Sequence, residues 1–203
     1  MVRIKMCGMT SAEDAVAAAE VGATSIGIIA FESSPRYLPP SGLTEIRKAL
    51  PPWVGVTVVA PDAETASKYD ADYWQLYKLP DTNSGKPIIH AIRVEETLDV
   101  EQLLGNLGRV RALLFDAYHP HLMGGSGISI GDSLATRLFS GTCHIPRILA
   151  GGLNPENVAR AISLLSPWAV DVSSGIEVSP GVKCKLKMKA FADAVFNAHR
   201  VNR

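Results

Sequence analysis

Short apolar runs alternate along the chain with longer segments in which apolar residues recur every three or four positions. The runs predict strands at 2–6, 25–30, 54–59, 73–76, 87–94, 112–115, 146–149 and 169–172. The segments between them predict helices at 12–21, 42–49, 63–69, 100–107, 132–138, 155–164 and 183–198. Caps support several starts: Ser11 precedes an acidic first turn at Glu13 and Asp14, and Asn154 precedes Pro155 at the first helical position. Strands apolar on both faces that alternate with helices belong in a parallel sheet covered by helices.

Eight strands in 203 residues is about 25 residues per unit, the small end of the closed (β/α)8 barrel. An α/β single-domain TIM barrel over 1–203 is therefore expected, with no linker dividing it. Helix 4 is expected to be shortened or absent. Only 77–86, with Pro80, Asn83 and Gly85, separates the fourth and fifth strands, where a parallel crossover needs a dozen or more residues. An open doubly wound sheet would want a glycine-rich phosphate loop after its first strand, and Gly8 stands alone there.

Composition narrows the function classes. With 20 basic and 20 acidic side chains the chain lacks the field that grips a nucleic-acid backbone. No apolar run approaches the roughly 18 residues that cross a bilayer, and the start, MVRIKMCGMT, is not a signal peptide. Three cysteines without a CxxC pair fit a reduced, cytoplasmic protein.

In a parallel barrel, chemistry collects at the C-terminal ends of the strands. The reactive side chains expected there are Cys7, Arg36, Gln75, Asp116 and Asp171. As a thiolate, Cys7 could take a proton from carbon, which requires nearby cations or backbone dipoles; otherwise it is a buried, inert thiol. In a dry setting, Asp116 could act as a general acid, and Arg36 could hold a carboxylate with its planar fork. Glycine turns after strands seven and eight, Gly151-Gly152 and Ser173-Ser174-Gly175, occupy the usual phosphate position of the fold, and a helix starting at Asn154 would add its dipole. A run at 124–127, GGSG, reads as a mobile cover or a plain connector. His119 and His121 lack a third ligand at a suitable spacing, so no metal is expected. Trp53, Trp74 and Trp168 read as packing residues, and Lys183, Lys185, Lys187 and Lys189 as the solvated face of the last helix.

Together these segments resemble the phosphoribosylanthranilate isomerase family. The matching stretches are IKMCGMT at 4–10, GIIAFESSPRYL at 27–38, LLFD at 113–116, GGSG at 124–127, LAGGLNPENV at 149–158 and VDVSSGIEVSPGVK at 170–183. The resemblance implies a cofactor-free Amadori rearrangement of N-(5-phosphoribosyl)anthranilate in tryptophan biosynthesis. It casts Cys7 as general base, Asp116 as general acid, Arg36 on the anthranilate carboxylate and Asp171 near the anthranilate amine. Gly151, Gly152, Ser173, Ser174 and Gly175 become the phosphate cradle. The partner implied is a small phosphosugar, with a homodimer left open. Gln75-Leu76-Tyr77-Lys78 stands where the family has QLHG, and 128–131 replaces an aromatic segment. These differences keep open a related isomerase of altered substrate, or a catalytically silent phosphate-binding relative.

Overall fold

The computed structural model describes residues 1–81, 84–94, 110–116, 132–142 and 144–201. Eight parallel strands close in sequence order into a barrel: β1 (Arg3–Cys7), β2 (Ser25–Ile29), β3 (Gly55–Ala60), β4 (Tyr73–Leu76), β5 (Ile88–Arg93), β6 (Val110–Asp116), β7 (Arg147–Ala150) and β8 (Ala169–Val172). The described helices are α1 (Ala12–Glu20), α2 (Pro40–Ala49), α3 (Ala63–Ser67), α4 (Asp132–Gly141), α5 (Val158–Leu165) and α6 (Lys185–Val201). Between β4 and β5 the described residues form no helix, as the short spacing predicts. The segments at 100–107 and 124–127, with His119 and His121, lie outside the described residues.

Helix ends follow local chemistry. Ser11 Oγ accepts from the Asp14 amide, and Asp62 Oδ1 accepts from the Thr65 amide to start α3. Asn154 Oδ1 accepts from the amides of Glu156 and Asn157, but it caps a turn, and α5 begins only at Val158. The last helix also starts later than expected. Val182 and Lys183 form strand β10, which pairs antiparallel with β9 (Glu177–Ser179) after a 3-10 turn at Ser174–Ile176. The reversal is made at Gly181, whose φ of +83 suits glycine.

Alternation along the strands sorts side chains into two sets. One set packs outward under the helices and includes Ile4, Met6, Ile26, Ile28, Val56, Val58, Phe115 and Val170. The other faces inward and is itself divided. On the β5–β8 side it is apolar, with Ile89, Ala91, Ala112, Leu114, Ile148, Ala150 and Ala169. Around β8 to β4 it carries buried polar groups: Asp171, Lys5, Thr57 and Gln75. Two of the three tryptophans depart from expectation: Trp53 is 80% exposed, and Trp168 is partly exposed beneath the Arg3 guanidinium, 4.2 Å from its ring centre. Both sit just before strands, Trp53 ahead of β3 and Trp168 ahead of β8.

Helix α6 packs against both α5 and α1 and so closes the outer ring. Phe191, fully buried on α6, is its largest anchor. Phe191→Ala is expected to destabilise the fold by about 3–5 kcal/mol, read as a lower urea midpoint with an unchanged slope; a loss under about 1 kcal/mol would contradict this packing.

Candidate active site

Barrel closure sets residues from opposite ends of the chain side by side. Lys5 on β1 is the register partner of Asp171 on β8, and its Nζ donates to both carboxylate oxygens at 3.0 Å. Both side chains are buried. Burial works against the Lys5 ammonium, yet Asp171 and Cys7 outweigh it and hold Lys5 above the usual lysine value. Two residues on, and therefore on the same face, Cys7 ends β1 beside this pair.

The Cys7 sulfur fits because its neighbour on β2 is glycine. A Cβ on Gly27 would stand 2.5 Å from Cys7 Sγ. Burial pushes the Cys7 thiol up from its ordinary value, Lys5 pulls it down, Asp171 pushes it up, and Lys183 pulls it down. Burial prevails, so the resting group is a thiol whose thiolate, once formed, is a stronger base than a solvated one.

Arg36, in the loop after β2, donates from Nε to Glu177 Oε1 at 2.8 Å and from Nη2 to Glu177 Oε2 at 2.6 Å. This bidentate pair raises the Arg36 pKa and fixes the plane of its fork. Lys183 corrects the expectation of a solvated lysine. Its ammonium is wholly buried and donates to Cys7 O at 2.6 Å, Ser173 O at 3.2 Å and Glu177 Oε1 at 2.7 Å. Lys185, Lys187 and Lys189 do belong to α6; Lys187 reaches the Glu177 carbonyl, while Lys185 and Lys189 make exposed pairs with Glu13 and Asp193.

One cavity of about 310 Å³ lies at the C-terminal ends of the strands. Cys7, Arg36, Asp116, Asp171, Gly151, Gly152, Ser173 and Ser174 line it. Asp116 is the last residue of β6 rather than the first of its loop, and it is half-buried. Gly151 and Gly152 take φ of +87 and +62, and a Cβ on Gly152 would point into open space. Gly175 serves differently: a Cβ there would lie 2.0 Å from Leu153 O, so its glycine lets the turns after β7 and β8 touch.

Gln75 is buried on the cavity wall, and its Oε1 has no hydrogen-bond partner among the described residues, leaving an acceptor for a ligand donor. Tyr77 closes the same side, edge-on to Phe31 at 6.3 Å with Arg93 over its ring at 5.2 Å. Burial and the nearby Asp116 push its phenol up. Lys5, Lys183 and Glu177 are the participants that the sequence reading missed. Lys5 was open to detection, since the strand period puts positions 5 and 7 on one face.

Comparisons with known proteins agree on one family. The family model of N-(5'phosphoribosyl)anthranilate (PRA) isomerase matches residues 4–194. An N-(5'-phosphoribosyl)anthranilate isomerase of Geobacter metallireducens is 39% identical over 201 residues, covering 94% of this chain and 97% of that one. The crystal structure of phosphoribosyl anthranilate isomerase from Thermotoga maritima superposes with a TM-score of 0.83 at 32% identity, covering 97% of this chain and 100% of that one. A phosphoribosyl anthranilate isomerase in complex with reduced 1-(o-carboxyphenylamino)-1-deoxyribulose 5-phosphate superposes with a TM-score of 0.82 at 31% identity, with the same coverage of both chains.

Three outcomes test the site's electrostatics and the fit of the sulfur. With Cys143→Ser and Cys184→Ser removing the other thiols, iodoacetamide alkylation of Cys7 is expected to rise with pH through a midpoint above the ordinary thiol value of about 8.5. Lys5→Met moves that midpoint further up, because the opposing cation is gone; a midpoint at or below the ordinary value would contradict the burial argument. Gly27→Ala is expected to leave the barrel folded but slow alkylation by displacing the sulfur.

Proposed function

The chain belongs to the N-(5'-phosphoribosyl)anthranilate isomerase family, and from that premise we propose how its own residues perform the isomerisation in tryptophan biosynthesis. The observation that carries the reading is a single cavity lined by both a basic candidate, Cys7, and an acidic one, Asp116, on strands far apart in sequence.

The phosphate of the substrate sits against the turns 151–152 and 173–174, where glycine permits close approach of the backbone. Gly175 supports this cradle from behind. The carboxylate of the anthranilate ring meets the part of the Arg36 fork that Glu177 leaves free. Asp171, held by Lys5, lies near the anthranilate amine. Asp116 gives a proton to the furanose oxygen as the C1–O bond breaks, and the nitrogen lone pair forms the C1–N double bond. Cys7, its thiol proton given up to solvent, then removes the C2 proton as the thiolate, the electron pair forms the C1–C2 double bond, and the cationic nitrogen is neutralised. Water supplies the proton at C1 and takes the one lost from the C2 hydroxyl, giving the ketose, and exchange with solvent returns a proton to Asp116 and takes one from Cys7. The growing positive charge on nitrogen favours the thiolate just when it is needed. No step requires an added cofactor.

The same reading takes the whole barrel as one domain acting on a small phosphosugar in the cytoplasm. Among the described residues no helix is long and apolar enough to cross a membrane. Self-association into a homodimer belongs to this reading, supported by large apolar side chains left exposed, such as Trp53 and Leu186.

Fluorescence-monitored turnover of freshly generated phosphoribosylanthranilate tests the assignment. Cys7→Ser and Asp116→Asn are each expected to lower kcat by about 10²–10⁴-fold while leaving phosphate binding and thermal unfolding unchanged. Near-parental turnover in either variant would overturn the role given to that residue.

A further inference from the structure

Outside the cavity-lining groups, one buried titratable side chain has contacts that packing alone does not explain. The hairpin β9–β10 sets Glu177 and Lys183 in register as direct partners, and both side chains are buried. Lys183 Nζ has three donors, and three acceptors receive them: the main-chain oxygens of Cys7 and Ser173, and Glu177 Oε1. Glu177 in turn holds Arg36 through two bonds. Gly181 at the hairpin tip is pressed against the same loop, since a Cβ there would stand 2.6 Å from Pro35 O. The residue at 183 therefore touches, directly or through one carboxylate, the strand end carrying the thiol, the turn after β8 and the arginine fork.

We propose that Lys183 is a positioning residue for the isomerisation, fixing Cys7, the Ser173 turn and Arg36 in one frame through its three hydrogen bonds. The proposal rests on the catalytic reading above. Lys183 is absent from the cavity wall, so it acts through the groups it holds. Burial draws its pKa below the usual lysine value, while Glu177 and Cys7 pull the other way, and three acceptors take its hydrogen bonds. A lysine suits the task better than an arginine, because three convergent acceptors match an ammonium and not a planar fork. Misplacement of about 1 Å at a site of this kind can lower rates about 10²-fold.

The charged and titratable groups around Cys7 are Lys5 and Asp171 from β1 and β8, Glu177 and Lys183 from the hairpin, Arg36 from the loop after β2, and Tyr77 and Asp116 from the ends of β4 and β6. Of these only Lys183 bonds the Cys7 main chain, so its loss should move both thiol chemistry and turnover. Lys183→Met in the Cys143→Ser, Cys184→Ser background is expected to lower kcat about 10²-fold and to shift the pH midpoint of Cys7 alkylation upward. Glu177→Gln, which frees Arg36 but keeps Lys183 on both carbonyls, is expected to raise KM more than it lowers kcat and to leave the midpoint nearly in place. Lys183→Arg, which keeps the charge, is expected to hold the midpoint near parental while kcat stays about tenfold down, and it carries the test should Lys183→Met not fold. Parental kcat, KM and midpoint in a folded Lys183→Met, or full activity in Lys183→Arg, would overturn the proposal. Alkylation does not depend on the substrate assigned, so a shifted midpoint without turnover in the parent would sink the isomerase reading and spare the positioning role.

Discussion

The seam where β1 meets β8 is the constraint on which the rest of this structure depends. Closing the barrel there forces Lys5 against Asp171 inside the protein, and each charge is tolerable only because of the other. Removing one partner of such a buried pair strands the other and typically costs 3–5 kcal/mol, about as much as deleting a large core side chain. The pair also fixes the register of the seam, and register decides which side chains face inward. Shifting β1 by one residue would turn Cys7 out of the barrel and Met6 into it.

From that seam the chemistry divides between two halves of the interior. Polar and charged groups gather from β8 round to β4, while small and branched apolar residues fill the β5–β8 side. A cavity formed where the two meet is lined by apolar side chains such as Leu114 and Ala150 as well as by hydrogen-bonding ones such as Gln75 and Asp171. Burial raises the thiol and makes its thiolate basic, and two ammonium groups keep that thiolate within reach. Neither effect alone would serve: burial without cations leaves an inert thiol, and cations without burial leave a weak base.

Much of this was legible in the sequence because it is local. Apolar runs located all eight strands to within a residue or two, and the ten-residue gap before β5 foretold that the described residues there form no helix. The glycines at 151 and 152 and the IKMCG start carried the site for the same reason. What escaped was non-local. The Arg36–Glu177 bond joins residues 141 apart, and no spacing rule pairs them. Lys183 was hidden in a run with lysine at every second position, which looks like a helix surface. Yet Pro180-Gly181 marks a reversal just before it, and the two-residue period is that of a strand. Trp53 and Trp168 misled because aromatic residues near strands usually pack, whereas both sit where chains enter the barrel.

The account's central claim is that sulfur and carboxyl flank one sugar whose phosphate rests on the turns after β7 and β8. The most direct measurement is a crystal structure of this chain with reduced 1-(o-carboxyphenylamino)-1-deoxyribulose 5-phosphate bound. It should place phosphate oxygens about 2.7–3.1 Å from main-chain nitrogens of Gly152 and Ser174, and the ligand's C2 about 3.5 Å from Cys7 Sγ with Asp116 across the chain of the sugar. A phosphate seated away from those turns, or a sugar reached by only one of the two side chains, would contradict it.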